Sequence, residues 1–199
     1  MGAEGVAADA IVSSRWPGVY GERVDVIPSR FDLENRVSEA AVLGAGGRLR
    51  RALSGVDDEY DVTLIDCPPS LGHLTQLGLA AADVALCTVE PEYDGVEGAV
   101  RFRDFVVTQA GELKNPELQL VGFLVCRVRS NLSAHAFQLD GLGETFGPEL
   151  VWAPQIPERA AIKDAADTAV PLRELGGVAA TIADLYSGVA ERLVKELRA

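Results

Sequence analysis

The segment Tyr60-Asp61-Val62-Thr63-Leu64-Ile65-Asp66-Cys67-Pro68-Pro69-Ser70-Leu71-Gly72 holds the residue types best suited to chemistry. Its apolar run predicts a strand from Asp61 to Asp66, with the carboxylate of Asp66 at the C-terminal end. In an open α/β sheet that end faces the ligand crevice, and a carboxylate there suits a magnesium ion held near nucleotide phosphates. An apolar run closed by Asp is equally the pattern of an ordinary strand-ending turn, so the run alone leaves both readings open. Beyond it, Pro68-Pro69 ahead of Ser70 predicts a helix over Leu71 to Ala81 with Ser70 as its N-cap.

Positioning such a site requires alternating strands and helices. Further strand candidates are Val24 to Pro28, Val84 to Val89, Leu118 to Val125 and a short run from Leu150 to Trp152. Their nearly continuous apolar character predicts strands covered on both faces, as in parallel sheets. Between them lie helical stretches: Asn35 to Leu53, interrupted at Gly44-Ala45-Gly46-Gly47, then Gly95 to Gln109 and Ser133 to Phe146. The last helix is the clearest, with Ile182, Leu185, Tyr186, Val189, Leu193 and Leu197 spaced as one buried stripe. Strand followed by helix, repeated, predicts an α/β fold with an open, mostly parallel sheet and helices on both faces.

The 199 residues are 48% hydrophobic and 24% charged, with a formal net charge of −12. That balance excludes a disordered chain, and the length predicts one α/β domain over residues 1–199. The longest stretch free of Asp, Glu, Lys and Arg, Cys67 to Ala82, carries two prolines and several polar residues and is a poor membrane span. Without a basic and apolar leader at its start, the chain is expected in the cytoplasm, away from any membrane. Cys67, Cys87 and Cys126 lack the close pairing of zinc or redox motifs and read as buried thiols. The acidic total disfavours nonspecific binding to nucleic acid, which rests on clustered Lys and Arg. Only a local convergence of Arg127, Arg129, Arg159, Lys163 and Arg173 would reverse that. Arg127 and Arg129 on their own read as solvated side chains or as phosphate or partner contacts. His73 and His135 have no second metal ligand at suitable spacing and read as surface or helix-cap residues.

Leu64-Ile65-Asp66-Cys67-Pro68-Pro69-Ser70-Leu71-Gly72, followed past Asp83 by an apolar strand and Glu90-Pro91-Glu92-Tyr93-Asp94-Gly95-Val96-Glu97-Gly98, resembles the ParA family of partition ATPases. Val26-Ile27-Pro28-Ser29 with Asp32-Leu33-Glu34, Val121 to Val125 with Asn131-Leu132-Ser133, and Ile156-Pro157-Glu158-Arg159 extend the resemblance over most of the chain. It implies a P-loop NTPase-like fold in which Asp66 belongs to the Walker B strand and orients magnesium through water as the catalytic carboxylate. It likewise implies a switch formed by Pro68, Pro69, Ser70 and Gly72. Pro157 and Glu158 would line the adenine, and Cys126 stands near a position where relatives carry Asn or Thr against that base. The implied cofactors are ATP and Mg. The implied partners are a second copy or full-length relative in a dimer, a ParB-like centromere-binding protein, and nonspecific DNA, which the net charge disfavours.

The family's deviant Walker A loop, Lys-Gly-Gly-x-x-Lys followed by Thr or Ser, is the main departure. Lys114, Lys163 and Lys195 are the only lysines, none follows a glycine, and none precedes Ser or Thr. The glycines at 44, 46 and 47 follow a helical stretch and read as a helix break. Three accounts are expected to fit: a start codon placed too far downstream, a fragment, or a sheet rearranged or completed by a partner. ATP binding by this chain is expected to be weak or nil. The alternatives are a pseudo-ATPase that pairs with a full-length relative, or a MinD-like regulator.

Overall fold

A computed structural model describes residues 4–30, 33, 38, 40–42 and 44–198. The first elements are β1 (Val12–Ser13), α1 (Val19–Arg23), β2 (Asp25–Val26), α2 (Arg48–Leu53) and α3 (His73–Ala81). After them come β3 (Val84–Val89), α4 (Tyr93–Gln109), β4 (Gln119–Val125), α5 (Ser133–Phe146), β5 (Val151–Trp152), α6 (Ala160–Thr168) and α7 (Gly177–Leu197). Strands β3, β4 and β5 neighbour one another in that order, and β4 and β5 run parallel with Phe123 opposite Val151 and Leu124 opposite Trp152. The expected α/β architecture with a parallel sheet is therefore present. Among the described residues no helix is long and apolar enough to cross a membrane. The chain divides into two compact units, residues 1–84 with 105–119 and residues 85–104 with 120–199.

In the first unit, β2 pairs antiparallel with β1 in a two-stranded ribbon, Val12 opposite Val26. This corrects the expectation of a parallel strand over Val24 to Pro28. The start of the helix read from Asn35, and Asp32 and Glu34 of the resembling stretch, lie outside the described residues. Its later part is a 3-10 turn over Ala45–Gly47 leading into α2. Helix α2 packs on α3. The C-terminal end of α3 is fastened by buried Asn115, whose Nδ2 donates to the carbonyls of Leu79 (2.8 Å) and Ala82 (2.7 Å). Two otherwise orphaned helix-end acceptors are satisfied by that one amide.

The run from Val62 to Pro68 pairs with no strand among the described residues, so the strand expected over Asp61 to Asp66 is not formed. An extended segment becomes a strand only when another backbone completes its ladder, and no described residue does so here. Ile65 and Cys67 instead lie against α3 at Gly78, where a β-carbon would come 2.6 Å from Cys67 Sγ. Leu64, pointing the other way, is 79% exposed.

In the second unit, β4 is buried from Val121 to Val125. Phe123 stacks on Phe146 of α5 with centroids 3.9 Å apart, and Val89, Ala99, Val125 and Leu142 complete that core. The opposite face of the sheet carries Leu124 and its register partner Trp152, since alternate residues of a strand point to opposite faces. Trp152 is fully buried, donates from Nε1 to the Val121 carbonyl (2.9 Å) and lies under the Arg192 guanidinium of α7. The stripe on α7 centres on Ala179, Ile182 and Val189, while Tyr186 and Leu197 sit at its exposed margin.

Candidate functional site

Each unit holds part of the site predicted from sequence. In the first, exposed Asp66 closes the unpaired apolar run, and the chain then turns through Pro68, Pro69 and Ser70 into α3. Ser70 donates its amide to the Pro68 carbonyl (2.7 Å). That carbonyl also accepts from the hydroxyl of buried Thr75 (3.2 Å), and Gln76 Nε2 donates to the Leu71 carbonyl (2.9 Å). The turn is thus tied to the first helical residues by two side chains. The helix begins at His73 with Gly72 as N-cap and no side-chain cap, so Ser70 does not play that role. Thr75 and Gln76 went unread in the sequence. Their signal was a pair of polar residues one turn beyond a proline-rich entry, and such pairs also occur on plain solvated faces.

Gly44 and Gly47 lie against the chain's own cation. Arg51 Nη2 donates to the Gly44 carbonyl (2.9 Å), and a β-carbon on Gly47 would come 2.8 Å from Arg51 Nη1. A loop whose carbonyl receives a guanidinium is the reverse of a phosphate cradle, which presents amide N–H groups. Gly44, in a left-handed conformation (φ +78), caps the 3-10 turn over Ala45–Gly47.

In the second unit, the end of β4 is zipped to the segment after β5. Ile156 donates its amide to the Val125 carbonyl (2.9 Å), Val128 to Ile156 (3.1 Å) and Glu158 to Val128 (3.0 Å), and Val128 bridges Pro157 in parallel. Cys126, Pro157 and Glu158 therefore share one sheet end. Cys126 is half-buried and donates its amide to the Val89 carbonyl (2.8 Å). Burial pushes its thiol up, Glu90 adds to that, and Arg127 opposes it. Arg127 Nη1 lies 2.7 Å from Glu90 Oε1, and Arg129 pairs with Glu158 through Nε and Oε2. The hydrogen bond from Arg129 holds the Glu158 carboxyl below the ordinary carboxylate range, against the opposing effect of burial. Behind Arg129, His135 is buried and its Nδ1 accepts the Arg129 amide (3.1 Å), so it is neither a surface residue nor a cap of its own helix.

Of the five cations that would have to converge on DNA, three are in ion pairs: Arg127 with Glu90, Arg129 with Glu158, and Arg173 with Asp184 at 2.8 Å. Among the described residues no group of three His, Cys, Asp or Glu could hold a metal ion. Nucleotide-bound magnesium takes most of its ligands from phosphates and water and needs one or two carboxylates, so an exposed Asp66 fits an outer partner. The triphosphate itself does not fit this donor set: Gly44 and Gly47 face Arg51, and none of the three lysines follows a glycine or precedes Ser or Thr.

The cysteines give one direct expectation. Burial pushes the Cys87 thiol up to about 12, which leaves a thiolate fraction of about 10⁻⁴ at pH 8. Iodoacetamide at that pH should leave Cys87 unlabelled in the folded protein and label it after urea unfolding, read by peptide mass spectrometry. Because the folded value lies above the ordinary 9.0, the stability gained by burying the neutral thiol is intact below pH 9. It declines as pH rises toward 12.

A parallel sheet with helices packed on it, a carboxylate closing an apolar run and a zipped loop at the sheet's C-terminal end place the chain in the α/β class of protein. The model of the AAA_31 family, an AAA domain, matches residues 7–120, and the chain belongs to that family and, within it, to the ParA family of partition ATPases. It is 35% identical over 120 residues to the sporulation initiation inhibitor protein Soj of Bacillus subtilis, covering 59% of this chain and 47% of Soj. Cobyrinic acid a,c-diamide synthase from Mycobacterium smegmatis, solved with a bound ATP analog and magnesium, is 29% identical with a TM-score of 0.66, over 78% of this chain and 59% of that one. Apo McdA of Cyanothece shares the fold at a TM-score of 0.78 and 23% identity, over 94% of this chain and 73% of its own. The chain spans about half the length of the curated relatives it matches. The family match reaches Asp66 and the turn after it, whereas Cys126, Pro157 and Glu158 lie beyond its end.

Proposed function

We propose that this chain acts in ATP-dependent partition of DNA, as a ParA-like polypeptide that supplies the magnesium-side carboxylate, the switch turn and the base-side loop of a nucleotide site. The observation that carries the reading is the zipped loop, in which Val128, Pro157 and Glu158 are joined by backbone bonds at the end of β4. Asp66 is the catalytic carboxylate on the magnesium side. Pro68, Pro69, Ser70 and Gly72 form the switch, tied back by Thr75 and Gln76. Cys126, Pro157 and Glu158 line the base. A Cys where the base would be met offers a weaker hydrogen-bonding group than an amide or hydroxyl, which loosens base recognition. ATP and Mg are the cofactors, a second copy or full-length relative is the dimer partner, and a ParB-like protein is the stimulating partner in the bacterial cytoplasm or nucleoid. Nonspecific DNA is disfavoured by the charge of −12 and by the ion pairs that occupy Arg127, Arg129 and Arg173.

Photolabelling with 8-azido-ATP at millimolar concentration tests the base-side assignment. Label is expected on the peptide containing Ile156 to Arg159. Label confined to other peptides, or none, would overturn it.

A second reading is favoured by the engagement of Gly44 and Gly47 with Arg51: a pseudo-ATPase that pairs with a full-length relative. Copurification with such a relative irrespective of ATP separates this reading from the first, which requires nucleotide-dependent pairing.

A further inference from the structure

Among the described residues only Thr75, Asn115 and His135 are buried with polar side chains. Thr75 and Asn115 both donate to carbonyls near the ends of α3, but His135 accepts. It is the third residue of α5 and 5% exposed, and its Nδ1 receives the backbone N–H of Arg129. The same turn closes on itself. Leu132 donates its amide to the Arg129 carbonyl (3.1 Å), His135 donates its amide to the Leu132 carbonyl (3.1 Å), and the His135 ring accepts the Arg129 amide (3.1 Å). Arg129 is therefore held on both sides of its α-carbon, and its guanidinium reaches Glu158 from a fixed origin.

We propose that His135 is a positioning residue for the Pro157–Glu158 loop, acting through Arg129 and its ion pair with Glu158. The functional meaning of that loop rests on the base-side reading above; the geometry does not. A backbone amide can only donate, so Nδ1 is the unprotonated ring nitrogen and the ring proton sits on Nε2. That tautomer keeps the three-bond ring closed. Arg129 is then delivered to Glu158, and the Glu158 amide, bonded to the Val128 carbonyl (3.0 Å), fixes the other side of the loop. Glu158 is gripped from its side chain by the α5 turn and from its backbone by the end of β4. Whatever docks on this loop meets a carboxylate already ionised and already oriented, so less ordering remains to be done on binding.

The test is NMR on the isotope-labelled 199-residue chain, with His135→Asn and His135→Phe as variants. Asn keeps an acceptor at the δ1 position, whereas Phe keeps the buried ring volume and loses it. In the unsubstituted chain, long-range ¹⁵N spectra should show His135 as the Nε2–H tautomer and the Glu158 carboxyl titrating below the ordinary range. In His135→Phe the Glu158 midpoint should move up toward that range, and Arg129 amide exchange should accelerate about tenfold, the equivalent of one neutral hydrogen bond. In His135→Asn both readouts should stay near those of the unsubstituted chain. An Nδ1–H tautomer, or a Glu158 midpoint unmoved in folded His135→Phe, overturns the proposal. So does an Asn variant that behaves as the Phe one. If the Phe variant fails to fold, the tautomer and the Asn comparison still decide. These readouts need no nucleotide, so a photolabel absent from Ile156 to Arg159 would remove the base-side reading and leave the positioning role standing.

Discussion

Gly122→Ala should cost about 3 kcal/mol or more, because it combines overpacking of a dense core with backbone strain. A β-carbon at this position would run into Nε1 and Cδ1 of Trp152 and stop 2.7 Å from the Leu150 carbonyl oxygen. Neither neighbour has room to yield. Trp152 is fully buried, fixed by its bond to the Val121 carbonyl and covered by Arg192, which itself donates to the Glu149 carbonyl. The Leu150 carbonyl accepts the Phe123 amide (2.7 Å), so moving it breaks the bond that starts the pairing of β4 with β5. The backbone at Gly122 has φ +156, a value that side chains rarely tolerate. Against a total stability of roughly 5–15 kcal/mol, the loss should lower the melting temperature by about 10 °C and deplete soluble protein. Gly141→Ala in α5, where an added β-carbon meets nothing within 4 Å, serves as the control and should be neutral or stabilising by about 1 kcal/mol. Equal melting temperatures for the two variants would refute this account of the sheet.

The second large effect is on nucleotide affinity. Calorimetry of these 199 residues with Mg-ATP should show no saturable heat up to about 1 mM, a free energy weaker than about −4 kcal/mol. Tight triphosphate binding depends on amide cradles and lysines that neutralise the phosphates. Here Gly44 and Gly47 face Arg51, and Arg127 and Arg129 are paired with carboxylates. The net charge of −12 also repels an approaching polyanion, most strongly at low salt. Micromolar affinity, about −8 kcal/mol, would mean that another set of residues holds the phosphates. The photolabelling experiment runs at millimolar nucleotide and reports on the base side, so the two outcomes are independent.

The sequence made some elements readable and hid others for physical reasons. Val84 to Val89 and Ser133 to Phe146 appear at the bounds expected: the strand is an apolar run bounded by Asp83 and Glu90-Pro91, and the helix stops at Gly147, whose positive φ of 86 leaves the helical conformation. Helix α4 begins two residues earlier than read, at Tyr93, whose hydroxyl donates to Glu97 one turn on (2.8 Å). Such a local bond is invisible to apolar periodicity. The run from Asp61 to Asp66 had every local mark of a strand, yet strand formation depends on a second backbone, which composition cannot supply. Asp66 and the loop at Pro157 and Glu158 were singled out through the family resemblance, and the roles proposed for them rest on it. The ion pairs that neutralise Arg127 and Arg129, and the burial of His135, were not, since they join residues 6 to 37 positions apart.

The outward face of the unpaired run, with Leu64 exposed, is the kind of surface that recruits further strands. Its flanks carry gatekeepers: Asp57, Asp58, Glu59 and Asp61 before it, and Asp66, Pro68 and Pro69 after it. Clustered carboxylates repel a second copy of the same run, and prolines cannot donate to a growing ladder. Charge rather than pairing should therefore keep copies of this run apart at neutral pH, and precipitates should first appear on storage near the isoelectric point of about 4.6.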